Sequence, residues 1–417
     1  MLQTTTNTIA QVLKTDCATD VEFKGVCTDT RKLMDGALFL ALVGDNFDAH
    51  DYIDQAQQMG AVAIIASKSV DSQLPTLVVD DTQIALSTIA SWHLRNIKPI
   101  VVAITGSNGK TTTKNMLANI LNLQAPTLKT QGNLNNHLGV PMTLLTLEEQ
   151  HQYAVIEMGA NHLGEIAHLC SLVNPDIALV TNTLDAHIGE FSGFDNLVKA
   201  KSEIYSNNSQ NIVNTQSTFM GDVSFGKGGD IFASKLVNNK FDLNIHQQKI
   251  SVTLNLIGAH NIENTLAASA CAYALGIDIN LIKQGLEATK AEHGRLEIIN
   301  TKKFRIIDDT YNANPHSTTA ALKVLQNFSG EKIVVLGAMG ELGSDSEALH
   351  LKIGQLAKKS VDTFYSYGKT AKHYCGIHFD SKQQLANHLL ANHANATVLI
   401  KGSRMAKLDE LVDLLKK

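Results

Sequence analysis

Apolar positions along the chain follow two rhythms. Residues 100–105, 153–157 and 177–181 are unbroken apolar runs, the pattern of parallel strands buried on both faces. Between the first two, Thr113, Met116, Leu117, Ile120 and Leu121 are spaced by three and four, which puts them on one face of a helix over 110–121. Residues 1–82 carry shorter apolar runs at 37–43, 61–66 and 76–79, with a helical stretch at 52–59 that ends at Gly60. Residues 221–257 alternate instead, with 241–245 and 250–256 predicting a hairpin insertion, and helices resume at 260–275. Near 297 strand-then-helix alternation returns, with strands expected at 304–308, 332–337, 363–367 and 397–400. The pattern predicts a three-domain α/β protein. Residues 1–82 form a small α/β domain, 83–296 a central doubly wound domain with a mostly parallel sheet around a phosphate-binding loop, and 297–417 a Rossmann-like domain.

At 417 residues the chain is long enough for each of these to bury its own core. The 35 Lys and Arg against 40 Asp and Glu give a net charge of −5 with no block of like charge, so general affinity for nucleic acid is not expected. Five scattered cysteines lack CxxC or CxxH spacing, which fits a reducing compartment better than a disulfide framework or a thiolate metal site. The first residues lack the basic start and apolar core of a signal peptide, and no apolar run approaches the length of a membrane span. A cytoplasmic location is expected.

The strongest chemical signal is Thr105-Gly106-Ser107-Asn108-Gly109-Lys110-Thr111-Thr112-Thr113, set between the strand at 100–105 and the helix that follows. Glycines let backbone N–H groups converge on phosphate oxygens, the helix N-terminus adds partial positive charge, Lys110 adds a full one, and the Thr111 hydroxyl can hold Mg²⁺. The spacing departs from GxxxxGK[ST], because Ile104 stands where the first glycine is expected. A second glycine loop, Gly337-Ala338-Met339-Gly340-Glu341-Leu342-Gly343, has GxxGxxG spacing and not the GxGxxG of dinucleotide binding, so it reads as a substrate-facing or structural loop. The NKxD motif of a guanine-reading switch protein is absent.

Glu157, Asp185 and His187 fall at or just past predicted strand ends, where open α/β sheets bind ligands; from pattern alone each is either a metal ligand or a cap. Lys199 and Lys201 lie two apart on a predicted helix, and spacing promotes neither over a solvated lysine. Four further polar clusters, at 258–264, 293–297, 308–315 and 401–404, could be turns or could close over the phosphate loop.

Together with Thr28-Asp29-Thr30-Arg31, Gly132-Asn133-Leu134-Asn135-Asn136, Glu157-Met158-Gly159-Ala160 and Ala200-Lys201-Ser202-Glu203, these clusters resemble the Mur ligases over essentially the full chain. The Tyr311-Asn312-Ala313-Asn314-Pro315 segment and the Gly-Glu-Leu-Gly loop resemble the branch that adds D-alanyl-D-alanine. Ala338, where relatives often carry Asp, and Met405-Ala406 depart from that pattern.

The resemblance implies an ATP-dependent amide ligase whose partners are a UDP-N-acetylmuramoyl tripeptide and D-alanyl-D-alanine. The alternative within the superfamily is a ligase for another muramoyl peptide or a folate. Gly106, Ser107, Asn108, Gly109, Lys110, Thr111, Thr112, Asn261, Asn264, Arg295 and Asp309 would bind ATP. Thr30, Arg31, Asp48, His50, Asn133, Asn135, Asn136, Tyr311, Asn314, Lys401 and Arg404 would bind the other substrates. Thr111, Glu157, His187 and a carbamylated Lys201 would hold two Mg²⁺ ions, with Lys110, His187 and Lys201 catalytic. A monomer with no membrane span is expected.

Overall fold

A computed structural model of the chain describes all residues except 45, 185–190, 192, 207 and 417. Three sheets organise it. The first is wholly parallel, in the order Val26–Cys27, Leu38–Leu40, Ala63–Ala66, Thr76–Val78. The second has nine strands, in the order Thr127–Lys129, Tyr153–Glu157, Ile100–Thr105, Ile177–Val180, Gln210–Asn214, Val223–Phe225, Ile231–Val237, Lys240–Ile245, Gln248–Thr253. Its first seven strands pair in parallel and the last three run antiparallel to one another. The alternating segment, expected as a hairpin insertion, extends the parallel sheet of the central unit with antiparallel strands. The third sheet runs Glu297–Asn300, Phe304–Asp309, Ala396–Lys401, Lys332–Gly337, Thr363–Tyr367, Ile377–Phe379, parallel except for its first pair. Glu297–Asn300 and the short N-terminal pair Gln3–Thr5 and Glu22–Lys24 have no counterpart among the predicted strands.

Strand periodicity sets the layers. In the third sheet Ile307, Val334, Leu336 and Leu399 pack under the helices Pro315–Gln326 and Ser346–Ser360. Their neighbours Ile306, Ile333, Val335, Val398 and Ile400 pack under Lys382–Asn392 and Asp409–Lys416. In the central sheet Val102, Ile104, Val155 and Leu179 meet the helices Lys110–Asn122 and His260–Ala274. Val101, Ala103, Ala154, Ile156 and Ala178 turn the other way into a core that also takes in the helix Thr82–Ile97 and Leu38, Leu40 and Ile65 of the first sheet. The first and second sheets therefore share one apolar layer, whereas the third builds its own.

The helix Lys110–Asn122 carries the phosphate loop at its N-terminus, and all five residues expected on its buried face are 0% exposed. Its rear is fixed by the helix Ile279–Ala288, which crosses it at Gly285; a Cβ there would lie 2.5 Å from Ile120 Cα. Ala is the better helix former by about 1 kcal/mol. The backbone overlap outweighs that preference. Gly285→Ala should therefore destabilise the protein by about 2–3 kcal/mol, read as a lower denaturation midpoint in urea; an unchanged or raised midpoint would mean the two helices can part freely.

Candidate active site

Ile100–Thr105 lies in the sheet interior between Tyr153–Glu157 and Ile177–Val180, all parallel, so three strand ends converge where the chain turns into the helix. Gly106 takes φ +143° and Gly109 φ +83°. A Cβ on Gly106 would overlap Thr181 Oγ1, and one on Gly109 would overlap Asn264 Oδ1. Neighbouring strand ends clamp the loop. Thr181 Oγ1 donates to Asn108 O (2.7 Å), Asn182 Oδ1 accepts from Asn108 N (3.0 Å), and Ser107 Oγ donates to Leu184 O (2.9 Å). The helix begins at Lys110 without a side-chain cap, which leaves its first N–H groups directed at the cavity. Lys110 Nζ donates to Gly106 O (2.7 Å), and burial holds this ammonium below its ordinary lysine pKa.

Glu157 closes its strand at 2% exposure. Oε1 accepts from Asn135 Nδ2 (2.9 Å). Oε2 accepts no hydrogen bond among the described residues and faces Lys114 Nζ at 3.6 Å. Lys114, 1% exposed, also donates to Thr130 O (2.7 Å). No role was read for Lys114 from sequence, yet a signal existed: it stands three and seven residues before Leu117 and Leu121, on the apolar face, where a lysine is out of place without a partner.

Of the two lysines that spacing could not separate, Lys199 is exposed and Lys201 is 4% exposed, because they lie on opposite sides of the helix Phe194–Ser202. Lys201 Nζ sits 5.4 Å over the Phe191 ring. Burial, with the charge of Lys110 adding to it, pushes its pKa down to about 7.

Arg295, from the segment that leads into the third sheet, joins Asp309, Tyr311 and Asn314 of the third unit. Arg295 Nη2 donates to Thr111 Oγ1 (3.0 Å), and the guanidinium lies 4.0 Å over the Tyr311 ring. Leu296, at φ +53°, turns the backbone sharply just after Arg295. Asn314 Nδ2 donates to Asn108 Oδ1 (2.9 Å), and Asn115 Nδ2 donates to Glu292 on the segment leading to Arg295. Asp309 is held by Lys401 Nζ, which donates to its Oδ2 (2.6 Å) and to Asn312 O (2.8 Å).

One cavity of about 990 Å³ gathers these groups. It is lined by the whole loop from Gly106 to Thr112, by Asn133, Asn135, Asn136, Glu157, Lys201, Asn261 and Asn264, and by Arg295, Asp309, Tyr311, Asn314 and Lys401. Glu341 of the second glycine loop also reaches it, as do Asn182, Asn214, Gln216, His260 and Glu292, none of which sequence singled out as binding. Thr30, Arg31, Asp48, His50 and Arg404 do not line it. Thr30 Oγ1 donates to Gln55 Oε1 (3.1 Å) and Arg31 pairs with Asp29 (2.8 Å). His50 is enclosed between Asp48 and the Ser67 N–H, which donates to Nε2 (3.0 Å). Arg404 pairs with Asp409 at the surface (3.2 Å). Asp185 and His187 lie outside the described residues. Among the described residues no helix is long and apolar enough to cross a membrane.

Three family models match the chain: Mur ligase family, catalytic domain, over residues 22–108; Mur ligase middle domain, over 104–272; and Mur ligase, glutamate ligase domain, over 294–404. The UDP-N-acetylmuramoyl-tripeptide–D-alanyl-D-alanine ligase of Escherichia coli is 39% identical, over 100% of this chain and 99% of its own. A MurF crystal structure from Acinetobacter baumannii superposes with a TM-score of 0.94 at 37% identity, covering 100% of both chains. The Thermotoga maritima MurF ligase, determined in complex with ADP, gives 0.85 at 28% identity, covering 94% of this chain and 97% of that one. With identity at this level running end to end and the same fold in solved relatives, the chain belongs to the Mur ligase family.

Proposed function

We propose that this chain is an ATP-dependent amide ligase that joins D-alanyl-D-alanine to the terminal carboxylate of a UDP-N-acetylmuramoyl tripeptide, a step of peptidoglycan precursor synthesis. One observation carries the reading: the phosphate loop of the central unit faces Arg295, at the boundary of the third unit, and Asp309 and Tyr311 of that unit across a single cavity. Full-length relatives named for this activity support the choice of substrates.

The chemistry follows from what the residues can do. A carboxylate is a poor electrophile, so the tripeptide carboxylate first attacks the γ-phosphate, giving an acyl phosphate and ADP. The dipeptide amine then adds to the acyl carbon, loses a proton, and phosphate leaves as the amide forms. The loop N–H groups and helix N-terminus cradle the phosphates, and Lys110 exchanges Gly106 O for a phosphate oxygen. Arg295, stiffened against Tyr311, meets the same anion from the opposite side. Asn261 and Asn264 lie near adenine and Asp309 near the ribose. Asn133, Asn135 and Asn136 meet the muramoyl peptide, whose UDP end is held by the first unit through Thr30, Arg31, Asp48 and His50. The dipeptide enters from the third unit, through Asn314, Lys401 and Arg404.

The donor set suits Mg²⁺: the Oε2 of Glu157 is a buried carboxylate oxygen that accepts no hydrogen bond among the described residues, and Thr111 offers a hydroxyl at the helix start. Thr111, Glu157, His187 and Lys201 would hold two ions, which offset the repulsion between the reacting anions. Lys201 belongs in that set as a carbamate. An amine whose pKa is near 7 is largely neutral at physiological pH, the form that adds CO₂ with release of a proton, and the product is an anionic acceptor in place of a cation.

With purified enzyme, ADP release should require both a UDP-muramoyl tripeptide and D-alanyl-D-alanine; turnover with free D-glutamate or meso-diaminopimelate in place of the dipeptide overturns the assignment. Lys110→Ala should stay folded and lose about 10²–10³ in rate or more, measured as kcat, and near-normal turnover would mean the loop does not hold the transferred phosphate. Lys201→Ala should be severely impaired and partly recover with added acetate, whereas Lys199→Ala should be near normal. The folded-state pKa of Lys201, about 7 against an ordinary 10.5, gives a signed stability effect. The buried amine costs stability as pH falls through 10.5, and the cost is full below about 7. In CO₂-free buffer Lys201→Met should therefore be more stable than wild type at pH 7, by on the order of 2 kcal/mol, with the gain fading toward pH 10. Urea denaturation at the two pH values reads this, and a gain that persists at pH 10 would contradict it.

A further inference from the structure

Just outside the cavity, three potential metal ligands converge that the ligase reaction leaves unused. Glu297 and Asp308 are directly opposed across the antiparallel pair formed by Glu297–Asn300 and Phe304–Asp309, so both carboxylates stand on one face of the hairpin. His293, from the segment that enters the hairpin, turns its Nδ1 toward both: 3.2 Å from Glu297 Oε2 and 3.5 Å from Asp308 Oδ2. All three donor atoms lie within 4.8 Å of one another. None of the three residues lines the main cavity, although Arg295 between them and Asp309 beside them do.

We propose that His293, Glu297 and Asp308 form a binding site for a divalent transition-metal ion, Zn²⁺ by preference, separate from the ATP and Mg²⁺ machinery.

The first argument is the state of Asp308. Its side chain is 0% exposed, and Oδ2 has no hydrogen-bond partner among the described residues. Its other oxygen accepts from Thr310 N (3.1 Å) and Thr310 Oγ1 (2.6 Å), which orients the carboxylate so that Oδ2 points at the cluster. An outer shell that aims one ligand atom is the usual companion of a metal site. A protonated His293 does not resolve this arrangement, because a single Nδ1–H cannot be directed at two carboxylates and Asp308 Oδ2 is left without a hydrogen bond. Like charges directly opposed across a strand pair are also unfavourable without a cation between them. Burial, reinforced by the charge of Glu297, raises the Asp308 pKa, and a bound cation would relieve that cost.

The second argument is spacing. With metal–ligand bonds of about 2.1 Å, adjacent ligands of a tetrahedral or octahedral shell stand roughly 3.0–3.4 Å apart. The two separations from His293 Nδ1, 3.2 and 3.5 Å, lie at or close to that range, and the third pair is within 4.8 Å. One imidazole with two carboxylates favours Zn²⁺ over Mg²⁺ or Ca²⁺, which prefer oxygen alone. The 63% exposure of His293 gives the ion a way in. An ion there would tie the segment carrying Arg295 to the strand carrying Asp309, and so hold both at the cavity rim.

The test uses the full chain stripped with EDTA and titrated with Zn²⁺ in excess Mg²⁺. Calorimetry should show one more Zn²⁺ site in the wild type than in the double variant His293→Ala, Glu297→Gln, and Zn²⁺ should raise the wild-type melting temperature but not that of the variant. Both substitutions lie on partly or fully exposed side chains, so the variant should fold; a circular dichroism spectrum matching wild type checks this. Asp308→Asn, which removes the charge while keeping the shape, should lose the same site. Equal Zn²⁺ stoichiometry in wild type and both variants, or a wild type that takes up no Zn²⁺ at micromolar concentration, overturns the proposal.

Discussion

The site depends on one steric constraint: at two points of the phosphate loop there is no room for a Cβ. Gly106 lies against Thr181 and Gly109 against Asn264, and both glycines adopt positive φ. Because Thr181 directly follows the neighbouring strand Ile177–Val180 and Asn264 sits in the first turns of the helix His260–Ala274, the loop is wedged between a strand end and a helix. That wedging sets the direction of the loop N–H groups. It also presses Asn264, and with it the start of the helix His260–Ala274, directly onto the loop.

Around this frame the protein buries ammonium groups, each with a different partner. Lys114 is matched by the Thr130 carbonyl and the Glu157 carboxylate, and so belongs to the scaffold of the site. Lys401 is matched by Asp309 and Asn312 O. Lys201 has an aromatic face and low dielectric around it, and that poor solvation is what draws its proton affinity down toward neutrality. Lys114 and Lys401 have their charge met by a carboxylate within 4 Å, whereas among the described residues Lys201 has no such ion pair. The same reasoning separates Lys401, held by Asp309 and Asn312 O, from Lys110, which among the described residues donates to loop carbonyls that a phosphate can replace.

The two interfaces of the central unit differ in kind. Toward the first sheet it shares a continuous apolar layer, whose opening would expose Leu38, Leu40, Ile65 and Leu86 together. Toward the third, hydrogen bonds tie the phosphate loop and its helix to the third unit and to the segment that leads into it: Asn108 to Asn314, Thr111 to Arg295, Asn115 to Glu292. Bonds of that type exchange with water or phosphate at small net cost, which suits a boundary that must admit three substrates and release three products.

Sequence alone determined the elements whose information is local. The 100–105 strand, the glycine turn and the 110–121 helix were legible because an unbroken apolar run, three-and-four spacing and the glycine–lysine–threonine order are properties of neighbouring residues, and so were the third unit's four main strands. What it could not decide were matters of distance in space. Lys199 and Lys201 are equivalent on paper, and only packing of the helix Phe194–Ser202 buries one and exposes the other. Lys114 reads as a polar interruption until Glu157, from another strand, arrives beside it. The strand Glu297–Asn300 is too short and mixed to announce itself, and it exists because Phe304–Asp309 offers an edge to pair with. That pairing brings Glu297 and Asp308, eleven positions apart, together beside His293, a juxtaposition no periodicity encodes, because it is set by hydrogen bonding between strands and not by spacing along one.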